Sequence, residues 1–162
     1  MYHIEQQLNK ISKIEDDLFL TSYDGVQNNK LHRRGITHII DLTNRNYTID
    51  NVTILHLMMH DNEQQPLDTL IPKTNQFIEA ALKQNGKILI HCEQGISRSP
   101  AILCAWMIYR DSNNGSFDGY DRIIKIIQAA RSIVQPNAGF VRQLKDYALA
   151  QTVHTSACCM AR

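Results

Sequence analysis

The chain has 162 residues, 43% of them apolar and 20% charged, the balance of an ordinary soluble globular protein with room for a buried core. Seventeen Lys and Arg against sixteen Asp and Glu leave a formal charge of +1, so no global field draws nucleic acid or an anionic membrane. The first residues carry no basic stretch followed by an apolar run, which argues against a secretory signal.

The longest apolar stretch, 101–109, is too short to cross a bilayer. Cys92, Cys104, Cys158 and Cys159 lack the spacing of a disulfide framework, so a reducing compartment is expected, cytoplasmic or nuclear. No repeat, low-complexity block or linker interrupts residues 1–162, which read as one domain with its core over about 15–150.

In chain order, Asp17 to Thr21 reads as a short strand ended by the turn formers Ser22 and Asp24-Gly25. Val26 to Arg34 suggests a helix stopped by Gly35. Ile36 to Leu42 is β-branched and almost continuously apolar, as a strand buried on both faces should be, and Val52 to Met58 reads alike. Asp68 to Lys83 has helical apolar spacing, with Asp68 at the N-cap position and Asn85-Gly86 closing the helix. Lys87 to Ile90 is another buried strand and runs straight into His91-Cys92-Glu93-Gln94-Gly95-Ile96-Ser97-Arg98-Ser99. Pro100 then suits a helix's first turn, and 101–110 continues as an apolar helix. After a polar loop over 112–119 come helices at 120–131 and 139–151, separated by Pro136-Asn137, and a short frayed tail from Thr152 to Arg162. Strands alternating with helices predict an α/β fold, a mostly parallel twisted sheet flanked by helices.

The segment 91–99 carries the chemistry. Backbone N–H groups of a tight loop at a helix N-terminus converge on an anion, and the helix dipole adds to the attraction. Gly95 lets the chain curl, and Arg98 offers a planar fork that grips two phosphate oxygens at once. Such surroundings favour a cysteine that reacts as thiolate. Cys92 at the base of the cup is then a nucleophile aimed at phosphorus.

His91-Cys92-x-x-Gly95-x-x-Arg98-Ser99 resembles the signature loop of the protein tyrosine phosphatase superfamily, and Gly95-Ile96-Ser97-Arg98-Ser99 is similar to its dual-specificity branch. The resemblance covers most of the chain: Leu18 to Ser22, Leu31 to Leu42, Ala105-Trp106-Met107-Ile108 (with Trp106 where tyrosine is usual) and Pro136-Asn137-x-Gly139-Phe140-x-x-Gln143-Leu144. A small, atypical member without a separate kinase-docking domain fits this length.

The resemblance implies the fold of that superfamily, with the C-x5-R loop between strand and helix. It also implies phosphate held by Glu93, Gln94, Gly95, Ile96, Ser97 and Arg98, with Cys92 attacking in line. A carboxylic acid about thirty residues earlier protonates the leaving oxygen and later activates water. Asp61 lies thirty-one residues before Cys92, after the strand ending at Met58. Asp68 is the rival, better placed to cap a helix. Asp41 ends a strand elsewhere and reads as structural. Ser99 matches the hydroxyl that stabilises the departing thiolate, while also suiting a helix N-cap. His91, Asn137 and Arg131 match supporting residues: a hydrogen bond to the loop backbone, a cap on the last helix that braces the loop, and fold support.

Other features are discounted. Cys104 reads as a buried core thiol, and Met58-Met59 as core. Cys158-Cys159 read as part of an inert tail, with palmitoylation or a disulfide to another chain as the alternatives, and Arg162 is not a prenylation-box ending. No Cys/His cluster has zinc spacing, and the scheme needs no metal or other cofactor. The neutral or acidic Glu93, Gln94, Ile96 and Ser97 favour phosphorylated proteins over inositol lipids or RNA 5′-ends, with Arg45 and Tyr47 as candidates for the rim. A phosphate-binding scaffold without turnover is the alternative from another class; loss of the cysteine, its usual mark, is absent. Substrate preference and oligomeric state stay open.

Overall fold

Strands Leu18–Ser22 and Ile88–Cys92 are buried at every position, and His38–Asp41 at all but the first, as strands covered on both faces must be. The computed structural model describes residues 7–27, 31–115 and 119–159, with side chains as far as residue 152. In chain order the strands are β1 (Ser12–Lys13), β2 (Leu18–Ser22), β3 (His38–Asp41), β4 (Thr53–His56) and β5 (Ile88–Cys92). They form one sheet in the order β1-β2-β5-β3-β4, parallel throughout except for β1 on β2. The helices are α1 (Tyr23–Gln27), α2 (Ile71–Lys83), α3 (Arg98–Asn113), α4 (Tyr120–Ala130) and α5 (Ala138–Cys159), with a short 3-10 turn at His32–Arg34. This is the expected α/β architecture.

Period-two alternation divides the apolar residues between the two faces. Leu18, Leu20, Ile40, Ile88 and Ile90 enter the larger cluster with the helices, while Phe19, Ile39 and Leu89 meet Val26, Leu31 and Ile36 on the other side. α3 sits centrally: it packs against α2, α4, α5 and β5, and every residue from Ser99 to Ile108 is buried. Register then places the functional residues. Thr21, His91 and Asp41 lie side by side across β2, β5 and β3, His56 pairs with Asp41 from β4, and Cys92 pairs with Ser22. The apolar rows end there, and a polar row forms the carboxyl edge of the sheet, where parallel α/β folds bind ligands.

Several expectations need correction. Val52 to Met58, expected to be buried on both faces, holds the edge strand β4 with both end residues exposed, and Met58, expected in the core, is 61% exposed. Of the helix expected over 26–34, α1 covers Val26 and Gln27 and a 3-10 turn covers His32–Arg34, while 28–30 lie outside the described residues; Val26 and Leu31 both enter one apolar cluster. A spacing of five would put them about 140° apart on a single helix. Ser22 Oγ accepts the Gly25 amide (3.1 Å) and so starts α1 early. Asp68 does not cap α2: the buried Leu67 offers its carbonyl to the amides of Leu70 (3.0 Å) and Ile71 (2.9 Å), and Pro72 follows in the first turn. The helix expected over 139–151 continues as far as Cys159. Finally, α3 extends to Asn113, so part of the loop expected at 112–119 is helix. The expected stops at Gly35 (φ 69°) and Asn85 (φ 55°) are present.

Candidate active site

β5 delivers Cys92 to the carboxyl edge, and the chain turns over 93–97 into the N-terminus of α3. Gly95 makes this turn possible. Its φ is +68°, and a Cβ there would lie 2.4 Å from the Thr21 carbonyl oxygen and 2.8 Å from Arg131 Nη2. Two donors meet at the Cys92 sulfur: the Gly95 amide at 3.2 Å and the Ser99 hydroxyl at 3.4 Å. Both stabilise negative charge on that atom.

Arg98 enters from the first turn of α3. Its Nη1 donates to the carbonyls of Met59 (3.1 Å) and Leu42 (3.4 Å), while its buried Nε has no hydrogen-bond partner. An anchored guanidinium with an unsatisfied edge suits a ligand rich in oxygen acceptors. Asp61 stands across from it, with Oδ2 3.7 Å from Nε.

Ser97 donates to Asp61 Oδ1 at 2.6 Å, and Asn137 Nδ2 donates to the same oxygen at 2.9 Å. Asn137 also accepts the Phe140 amide (3.0 Å), capping α5, and its own amide donates to Ser97 Oγ (3.1 Å). It therefore braces the aspartate as well as the loop. Gln143 fixes the rest of this segment through Leu67 N (2.9 Å) and Gln65 O (3.0 Å).

A polar layer lies beneath the loop. Asp41 is fully buried and accepts from Thr43 N (2.8 Å), Thr43 Oγ (2.7 Å) and His56 Nδ1 (2.9 Å). Burial foremost, then the Asp41 charge, raises the Tyr47 hydroxyl far above its ordinary range, so it stays a donor, 2.5 Å from His91 Nε2. Burial lowers the His91 pKa, favouring the neutral ring. The same Nε2 lies 3.4 Å from Asp41 Oδ1, and Nδ1 lies 3.4 Å from the Cys92 carbonyl. Arg131 supports the loop from behind, donating to the carbonyls of Gly95 (2.9 Å) and Gln94 (3.1 Å), and to Leu8 and Lys10 (both 2.9 Å) of the N-terminal segment. Burial pulls its pKa down to about 10.

The structure thus brings Cys92, Gly95, Ser97, Arg98, Ser99, Asp61, His91 and Asn137 together. Gln94 and Ile96 lie within the same turn, while the Glu93 side chain forms a two-pronged pair with Arg45 at the rim (3.1 and 3.2 Å), and the Arg45 guanidinium lies 4.3 Å from the centre of the Tyr23 ring. Asp68 stands apart from the cysteine, on the wall of another cavity. The holding of Asp61 by Ser97 and Asn137, and the bond from Tyr47 to His91, join residues 36 to 76 positions apart. Local spacing carries no signal for them. The cleft holds about 270 Å³, and its walls include Asn44, Met58, His60, Asp61, Glu93 and Arg98.

A cysteine at the base of an amide-lined turn, with an arginine and a carboxylate above it on this sheet, defines the cysteine-loop class of phosphatase folds. The family model of the dual specificity phosphatase catalytic domain matches residues 18–149, and the chain belongs to that family. Dual specificity protein phosphatase 22-A of Danio rerio is 30% identical over 145 residues, which cover 88% of this chain and 67% of that protein. Tyrosine-protein phosphatase yvh1 of Schizosaccharomyces pombe is 30% identical over 148 residues, 90% of this chain but 43% of the relative. Among solved structures, DUSP15 aligns with a TM-score of 0.80 at 27% identity, over 95% of this chain and 97% of its own.

Proposed function

We propose that this chain hydrolyses phosphoserine, phosphothreonine and phosphotyrosine in proteins through a phosphocysteine intermediate. The observation that carries the reading is the convergence of the Gly95 amide and the Ser99 hydroxyl on the Cys92 sulfur, beneath Arg98 and Asp61.

In this scheme the Cys92 thiolate attacks phosphorus in line while Arg98 and the loop amides hold the equatorial oxygens. As the S–P bond forms, the P–O bond to the substrate breaks, and Asp61 gives its proton to the departing oxygen. A water then attacks the phosphocysteine. Asp61 takes the water's proton, the S–P bond breaks, and Ser99 stabilises the thiolate that leaves. Every group returns to its starting state, and inorganic phosphate departs.

The cleft supports a substrate carrying a single phosphate. Arg98 is the one cation among the described residues lining it, and the neighbouring Arg45 is already paired with Glu93. A polyphosphate or inositol headgroup would meet the Glu93 carboxylate without a basic surplus to offset it.

The test is turnover of phosphoserine, phosphothreonine and phosphotyrosine peptides against phosphoinositides and RNA triphosphate ends. The peptides should be hydrolysed and the polyanions spared. Cys92→Ser should abolish hydrolysis while the protein still binds a phosphate analogue. Near-wild-type turnover by that variant overturns the scheme, and preference for a polyanion overturns the substrate class.

A further inference from the structure

Away from the catalytic cleft, α2, α3 and α5 enclose a cavity of about 480 Å³. One wall is a face of α2, on which Ile71, Asn75 and Glu79 recur at helical spacing, with Asp68 just before the helix. Tyr109 of α3 and Tyr147 of α5 form the other wall.

Hydrogen bonds fix these aromatic side chains. Tyr109 donates its hydroxyl to Glu79 Oε1 (3.1 Å), and Tyr147 Oη accepts from Asn75 Nδ2 (3.5 Å). The remaining polar lining is two carboxylates, Asp68 and Glu79, beside the amides of Asn75, Gln76 and Gln151. Asn75 is 5% exposed, yet its Oδ1 has no partner. Among the described residues no hydrogen bond or ion pair reaches the Asp68 carboxylate, and Glu79 has one oxygen beyond its bond to Tyr109. Among the described residues no lysine or arginine lines the cavity.

Two carboxylates, an orphaned amide oxygen and two tyrosine rings ask for a ligand that is cationic, rich in donors and flat enough to lie on an aromatic face. Guanidinium has all three properties, whereas an ammonium is a point charge with three donors. From Ile71 to Glu79 is eight residues of helix, about 12 Å, and Asp68 extends the acidic wall further. One guanidinium cannot span that length, but an extended chain of about four residues does. We infer that this cavity is a docking groove for an arginine-bearing segment of a partner protein.

The groove does not depend on turnover at Cys92, so it is tested apart from the proposed activity. The probe is a short peptide with two arginines three residues apart, beside a twin carrying citrulline, which keeps the shape and loses the charge. Amide NMR shifts should move at Ile71 to Glu79, Tyr109 and Tyr147. The citrulline twin should leave them in place, and about 0.5 M salt, where screening acts within about 4 Å, should weaken them. Glu79→Gln should reduce affinity about fivefold or more, as expected for losing one charge-assisted contact. Asp68→Asn, at an exposed position outside the helix, repeats the test where folding is not at stake. Both variants should hydrolyse an aryl phosphate at the wild-type rate. Absence of binding at millimolar peptide, equal binding of the citrulline twin, shifts elsewhere on the surface, or wild-type affinity in both variants would each overturn the inference.

Discussion

Gly139 lies against the segment that carries Asp61. A Cβ built there would stand 2.2 Å from the Glu63 carbonyl oxygen, 2.4 Å from its Cα and 2.6 Å from its carbonyl carbon. All three atoms are backbone, so no rotamer relieves the clash. Gly139→Ala must push residues near Glu63 back by about 1.2 Å to regain ordinary contact. Overpacking of this kind costs about 1–3 kcal/mol, and each kcal/mol lowers Tm by about 2–4 °C at this size. The catalytic effect should be selective, because Asp61 is two residues from the clash while Cys92 sits on a strand that does not touch it. A misplacement of about 1 Å can cost about 10²-fold, within the about 10²–10⁴-fold that general acid catalysis supplies. The assay compares kcat/KM for a phosphoserine peptide, whose leaving oxygen needs a proton, with that for an activated aryl phosphate, whose leaving oxygen hardly does. The peptide rate should fall about 10²-fold and the aryl rate much less. Equal losses on both substrates, in protein that remains folded by circular dichroism, would refute the reasoning.

Asp61→Asn should flatten the alkaline limb of the kcat/KM profile on the phosphoserine peptide, whereas Asp68→Asn should leave both that limb and Tm unchanged, since Asp68 caps nothing; a Tm loss in the Asp68 variant, read by calorimetry, would contradict the cap-free start of α2. Peroxide should inactivate the protein by oxidising Cys92 before Cys104, because burial pushes the Cys104 thiol far up and leaves little reactive thiolate. Mass spectrometry finding Cys104 oxidised first, with activity intact, would reverse that order. His91 and His38 both have pKa values lowered by burial, so their neutral forms favour the fold. Their contribution is present above the unfolded value of about 6.5 and is lost as pH falls below it, so the urea midpoint should drop between about pH 7.5 and 5.5. A midpoint that holds or rises across that window would count against it.

The parts of the fold legible in the sequence were those governed by neighbours in the chain. Ile36 to Leu42 and Lys87 to Ile90 are apolar enough to declare strands covered on both faces, and the run from His91 to Ser99 announces an anion-binding turn before a helix. Asp68 shows where this logic fails. A carboxylate before an amphipathic stretch is a good capping signal, but the buried Leu67, fixed by Gln143 from seventy-six residues away, forms the turn instead. Around the site, it was the family resemblance that singled out Asp61, which stands 3.7 Å from Arg98 Nε. The Ser97 and Asn137 bonds that hold it arise only when α5 packs over the loop.

The sheet register has a consequence for how the site comes apart. Cys92 ends the central strand, hydrogen-bonded on one side to β2 and flanked by a helix buried along most of its length, so its surroundings open only when the molecule unfolds globally. Residues 61–64 are exposed and held chiefly by side-chain bonds. Amides over 88–92 should therefore exchange with solvent at the rate of global unfolding, and those over 60–64 through far cheaper local opening. Mild denaturant would then yield a species whose cysteine still takes up an alkylating agent and still cleaves activated esters. The same species would already have stopped turning over phosphoserine, so two substrates report two different melting curves from one molecule.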